Sequence, residues 1–174
     1  MKYILLLCLA SHMTHAEVIS SNAIGFQLNI KRTVNVNSSE AYAQFLKIDQ
    51  WWIADHTYFG QSENLSIETK AGGCFCEKSG DKEVLHMTVS YVDPNKEIRM
   101  TGGLGPLQMM GVQGGMSWKF IAINDNQTQI VHHYQVSGFG KDGLEFLAPI
   151  VDKVQTQQVE SLVSKINQEF KKDN

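Results

Sequence analysis

The end of the chain restricts the fold most. Leu147, Ile150, Val151, Val154, Leu162, Val163, Ile166 and Phe170 recur at helical spacing, interrupted by Gln155, Gln157 and Gln158, while Lys153, Glu160 and Lys165 occupy the opposite side. Pro149 suits the first turn of such a helix or a start just before it. An amphipathic helix of this length must lie across something apolar. The chain before it offers one large partner. Residues 65–69, 74–78, 84–92, 97–101, 111–124 and 128–137 read as strands separated by short turns, among them Ser79-Gly80-Asp81, Asp93-Pro94-Asn95 and Asp125-Asn126. Consecutive strands with short turns predict an antiparallel meander, whose concave face can receive the helix.

A further strand precedes the meander. In residues 25–36, Phe26, Leu28, Ile30, Val34 and Val36 alternate with Gln27, Asn29, Lys31, Thr33 and Asn35, the pattern of a half-buried strand, and Arg32 alone breaks the apolar row. Asn37 and Ser38 then offer helix caps, with Glu40 in the first turn and Ala41, Tyr42, Phe45 and Leu46 at helical spacing. A second short helix is expected near Trp51 and Trp52, and residues 53–62 read as loop. There are no internal repeats.

The order of strand, helices, strands and long helix, together with several local runs, resembles a known group. The runs are Ala71-Gly72-Gly73, Tyr91-Val92-Asp93-Pro94, Ile98-Arg99-Met100, Gly103-Leu104-Gly105-Pro106-Leu107 and Tyr134-Gln135-Val136-Ser137-Gly138. Over residues 25–170 they are similar to bacterial START-like, polyketide-cyclase-type domains of the SRPBCC (helix-grip) superfamily. The resemblance implies an α+β fold: an antiparallel sheet of about seven strands wrapped around a long C-terminal helix, with two short helices after the first strand. It also implies an internal cavity between helix and sheet. That superfamily includes lipid carriers, aromatic polyketide cyclases, plant ligand-binding proteins and chaperone-ATPase activators, and it has no shared catalytic set to carry over.

The first sixteen residues read differently from the rest. Lys2, an apolar run over residues 3–10 and Thr14-His15-Ala16 have the layout of a secretory signal peptide, and the run is too short to span a bilayer. This divides the chain into a leader, 1–16, and one START-like domain, 17–174, and predicts a periplasmic or secreted protein without stable membrane insertion. Losing Lys2 takes the formal charge from −3 to −4, the wrong sign for a nucleic-acid binder. Cys74 and Cys76 remain. Two residues apart on a strand, they are expected as free thiols or a strained bridge. Asn37, Asn64 and Asn126 begin glycosylation acceptors, but the lack of a disulfide framework favours a bacterial periplasm.

If the apolar rows face inward, polar residues go in with them. Arg32 shares a row with Ile30 and Val34, Glu77 with Phe75, and His132 and Tyr134 with Ile130 and Val136. A buried charge is costly unless paired or wet, so these four either line a solvated cavity or satisfy one another, for instance as an Arg32–Glu77 pair. Met87, Met100, Met116, Trp118 and Phe120 complete the expected lining. His86 shares a row with Thr88 and Ser90 and is expected to face out. His132 and His133 point to opposite faces of a strand and cannot easily share an ion, so no metal site is expected. The glycines between residues 102 and 115 lie between strands without the Lys and Ser or Thr of a phosphate loop; they suit bends of a curved sheet. Nothing calls for a cofactor.

Three functions remain open. A carrier would hold a small hydrophobic or aromatic ligand against Arg32, Glu77, His132, Tyr134 and the apolar lining, Arg32 meeting a carboxylate or phenolate. A cyclase- or dehydratase-type enzyme would use Glu77, His132 and Tyr134 for general acid–base work beside Arg32. An interaction module would have a filled core and an exposed apolar patch. The oligomeric state is not legible. The leader reading has a direct consequence: intact-mass spectrometry of the exported protein should find Glu17 as the first residue, and an intact N-terminus on cytosolic protein would refute it.

Overall fold

The computed structural model describes residues 17–171, and the expected leader lies outside them. The elements are β1 (Glu17–Asn22), β2 (Gly25–Val34), α1 (Ser38–Leu46), β3 (Leu65–Ile67), β4 (Cys74–Ser79), β5 (Lys82–Asp93), β6 (Glu97–Thr101), β7 (Gln113–Asn124), β8 (Gln127–Ser137) and α2 (Ala148–Phe170). Single 3-10 turns lie at Ile48–Gln50, Ala54–His56, Ser62–Asn64, Gly105–Gln108 and Glu145–Leu147. The strands form one antiparallel sheet in the order β1-β2-β8-β7-β6-β5-β4-β3. The sheet curves around α2: this is the helix-grip fold.

Local chemistry explains the elements. Asn37 caps α1 through a reciprocal box, its side chain accepting from the Glu40 N–H at 3.0 Å while the Glu40 carboxylate accepts from the Asn37 N–H at 3.1 Å. The register places Ile98 opposite Trp118, Met100 opposite Met116, Trp118 opposite His132 and Phe120 opposite Ile130, all on the inner face. Among the described residues there are eight strands where seven were expected. The addition is β1, an edge strand whose residues 18–22 are all exposed, so no period of two marks it. The second short helix is realised only as the two 3-10 turns that flank Trp51 and Trp52. Cys74 and Cys76 are bridged, with alpha carbons 5.4 Å apart.

Under α2 the interior is filled by aromatic rings. Trp118 meets Phe45 at 5.1 Å and Trp51 at 5.7 Å between centroids, and Phe120 meets Tyr42 edge-on at 5.4 Å. The buried side of α2 is Ala148, Gln155, Gln158, Val159, Leu162 and Ile166. This corrects the apolar stripe read from the sequence: two of the glutamines that interrupt it point inward, and Ile150 within it is 56% exposed. Leu162 is fully buried. Leu162→Ala should therefore cost about 2–5 kcal/mol in urea unfolding, whereas Ile150→Ala should stay within about 0.5 kcal/mol.

Candidate functional site

A cavity of about 360 Å³ opens at the N-terminal end of α2. Three walls enclose it: Leu147 and the first turns of α2 with Ile150, Val151 and Val154; the segment from Trp52 to Tyr58; and the loop from Leu104 to Met110. His56, Thr57, His86, Tyr134 and Gln155 supply polar groups to an otherwise mainly apolar lining, and Asp55 is its one acidic residue. A larger depression, of about 490 Å³, lies on the outer face of β6–β8 and is open to solvent. Its charged groups pair among themselves, Arg99 with Glu97 at 2.8 Å and Lys119 with Glu97 at 3.8 Å, so the interior cavity is the better ligand site.

A fault in strand register brings His86 inside. On β4, Phe75 faces Met87 and Cys76 faces Leu85, which leaves His86 as the extra residue of a β-bulge on β5. His86 and its neighbour Met87 are both buried, while Leu85 is exposed. This overturns the expected outward direction of His86, because a bulge shifts the alternation by one residue. The only hint in the sequence was a pair of adjacent apolar residues at each end of the strand, Val84-Leu85 and Tyr91-Val92.

Glu77 fixes what this histidine can do. Its fully buried carboxylate accepts from the backbone N–H groups of Tyr58 at 2.8 Å and Phe59 at 2.7 Å, and it lies 3.2 Å from His86 Nε2. A carboxylate that only accepts requires the proton on Nε2, which leaves Nδ1 as an acceptor. Nδ1 has no hydrogen-bond partner among the described residues. Burial pushes the His86 pKa below its ordinary value, against the opposing pull of Glu77, so the contact is a hydrogen bond from neutral imidazole rather than an ion pair. Phe75 and Tyr58 hold the ring, with centroids at 4.9 and 5.7 Å.

Tyr134 reaches the cavity across a missing side chain. A Cβ on Gly114 of β7 would lie 2.7 Å from the Tyr134 ring, so only glycine lets the ring cross that strand. The hydroxyl accepts from the Leu104 N–H at 3.2 Å and keeps its own proton to donate. Burial raises its pKa to about 12, so it stays a donor at physiological pH. The glutamines of α2 link the helix to its surroundings. Gln155 Oε1 lies 3.0 Å from His132 Nε2, while Gln158 accepts from the Ile53 N–H at 3.0 Å and donates to His56 Nδ1 at 2.7 Å.

The residues expected at the site are thus dispersed. Tyr134 lines the cavity. Glu77 and His132 stand one side chain behind the wall, reached through His86 and Gln155. Met87, Met100, Met116, Trp118 and Phe120 are buried in the packed interior. Arg32 binds Glu160 on α2 at 2.6 Å, so the suggested Arg32–Glu77 pair does not form; four strands separate β2 from β4. Among the described residues no three His, Cys, Asp or Glu side chains gather as a metal-binding group, and no helix is long and apolar enough to cross a membrane. Sequence reasoning missed His86, Gln155 and the wall from Trp52 to Tyr58, which it left as unstructured loop from residue 53.

No protein-family model matches the chain, and no curated protein sequence matches it either. Solved structures with the same fold do. CalU16 from Micromonospora echinospora superposes with a TM-score of 0.60 at 11% identity, covering 91% of this chain and 88% of that one. DynU16, from the dynemicin biosynthetic locus, gives 0.55 at 16% identity over 81% of this chain and 47% of its own. A conserved protein of unknown function from Enterococcus faecalis, EF2215, gives 0.56 at 10% identity over 91% and 92%. At these identities the likeness is one of fold: the helix-grip architecture of a curved antiparallel sheet around a long C-terminal helix.

The two buried histidines make stability depend on pH. His132 is fully buried and held down to about 3, chiefly by desolvation, and His86 is lowered as well. Both therefore bind a proton more readily in the unfolded chain. Their contribution is complete above the ordinary histidine value of 6.5 and is lost as pH falls below it, for His132 progressively down to about 3. Urea unfolding between pH 7 and 4.5 should show stability falling with pH, and His132→Gln should remove up to about 1.4 kcal/mol per pH unit of that slope.

Proposed function

We propose that this protein binds and carries a small, mostly apolar molecule in the cavity beneath the N-terminal end of α2. One observation carries the reading: the cavity of about 360 Å³ is walled mainly by aliphatic and aromatic side chains, with a few polar residues among them. That is the composition of a ligand site, and the volume falls toward the lower end of the roughly 300–1,000 Å³ such sites occupy. The mouth is apolar as well: Met110 and Ile150 line it and are exposed, and Met109 and Phe146 beside them are exposed too. DynU16, which shares the fold, comes from a biosynthetic locus, a setting in which small organic molecules are handled. With residues 1–16 read as a leader, the carrier would work in the periplasm or outside the cell.

A cyclase- or dehydratase-type enzyme is the second reading, and the hydrogen-bonded His86–Glu77 pair in a cavity shared with Tyr134 favours it. The acid–base groups would then be His86 and Tyr134, with Glu77 orienting His86 and His132 standing behind Gln155. The two readings differ in what is recovered after incubation: a carrier returns its ligand unchanged, and an enzyme does not.

Binding is testable with the uncharged fluorophore N-phenyl-1-naphthylamine. Its emission should rise and saturate at micromolar concentration. Val154→Trp, which fills the cavity from the half-buried side of α2, should weaken it at least tenfold without changing the circular dichroism. Absence of saturation below millimolar concentration, or indifference to Val154→Trp, would rule out this cavity as the site.

A further inference from the structure

We infer that the cavity selects an uncharged ligand that presents a hydroxyl donor to His86 and an acceptor to Tyr134. This inference rests on the carrier reading above and names the ligand class for the same site.

Charge comes first. No lysine or arginine lines the cavity, and Asp55 is its one acidic residue. An anionic ligand would lose its hydration there without a counter-charge, which is strongly unfavourable. Arg32, the cation that the sequence offered for that task, is held by Glu160 and does not line the cavity. Carboxylates and fatty acids are therefore disfavoured.

Among the polar lining residues Asp55, His56, Thr57, His86, Tyr134 and Gln155, two then define a pattern. His86 is 96% buried and its Nε2–H is committed to Glu77, so Nδ1 can only accept, and no described residue donates to it. A buried acceptor without a donor is costly, and a ligand hydroxyl would relieve that cost. Tyr134 has the opposite character: its oxygen already accepts from Leu104, so its free capacity is to donate. The fold also brings them to one place. Tyr134 is rooted on β8, but its ring crosses Gly114 of β7 and its hydroxyl ends at Leu104, just past β6, while His86 stands on β5, the next strand. Both side chains line the same cavity, so one ligand can meet both.

Four bicyclic probes of nearly equal size separate these requirements by displacement of N-phenyl-1-naphthylamine: tetralin, 1-tetralone, 6-hydroxy-1-tetralone and 5,6,7,8-tetrahydro-2-naphthoate. The wild-type protein should bind 6-hydroxy-1-tetralone at least tenfold more tightly than tetralin, with 1-tetralone between them and the carboxylate weakest. His86→Phe, which keeps an aromatic ring beside Phe75 and Tyr58, should make 6-hydroxy-1-tetralone and 1-tetralone bind alike. Tyr134→Phe should abolish the advantage of the ketone. If the fluorophore and tetralin bind but the wild-type protein shows no preference, or prefers the carboxylate, this inference is overturned and the carrier reading stands. If neither the fluorophore nor any probe binds, both are overturned. The wild-type comparison decides the matter even if a variant fails to fold.

Discussion

How closely α2 can approach the sheet determines where the molecule is solid and where it is hollow. Around the middle of the sheet, Trp118, Phe120, Phe45 and Trp51 fill the space beneath the helix with ring contacts, at the density expected of a protein interior. Toward its N-terminus the helix faces two loops instead, residues 52–58 and 104–110, which stand away from it. A void there persists only if both loops are prevented from collapsing.

Buried polar side chains prevent it. Glu77 holds Tyr58 and Phe59 by their backbone N–H groups, Tyr134 holds Leu104, and Gln158 holds Ile53 and His56. Each tether replaces hydrogen bonds that a loop would otherwise make to water, and loss of any one strands a buried donor or acceptor. The tethers run from the sheet and from α2, the most ordered parts of the fold, to the least regular ones. The arrangement separates two kinds of buried polarity: groups whose capacity is exhausted by holding the walls, such as Glu77 and Gln158, and groups with capacity left over. Only the second kind can recognise a ligand, and His86 Nδ1 and the Tyr134 hydroxyl proton belong to it.

The same reasoning weighs carriage against catalysis. Both uses require a dry cavity with oriented polar groups, and the His86–Glu77 hydrogen bond would serve either one. Catalysis further requires two groups to act on one reacting position. Tyr134 and His86 reach the same cavity from β8 and β5, so strand position alone does not separate the two uses.

The chain by itself determined the architecture. Alternation in residues 25–36, the series of turns from Ser79 to Asn126 and the stripe of α2 each report a periodic exposure to one apolar phase, and a period survives in the sequence because every turn or pleat repeats the same demand. Sequence also located Asn37 and Glu40 at a helix start, because that cap is local. The site was decided by tertiary structure. Its central histidine faces inward because the pairing of β4 with β5 slips by one residue, and a slip is a relation between two strands that neither strand encodes alone. Gln155 and Gln158 looked like breaks in an apolar stripe because their partners, His132, Ile53 and His56, lie 23 or more residues away in the chain. Arg32 is paired with Glu160 and has four strands between it and Glu77, a separation that only strand order sets. Periodicity states which residues are buried; contact between distant segments decides which buried groups keep a hydrogen bond to offer.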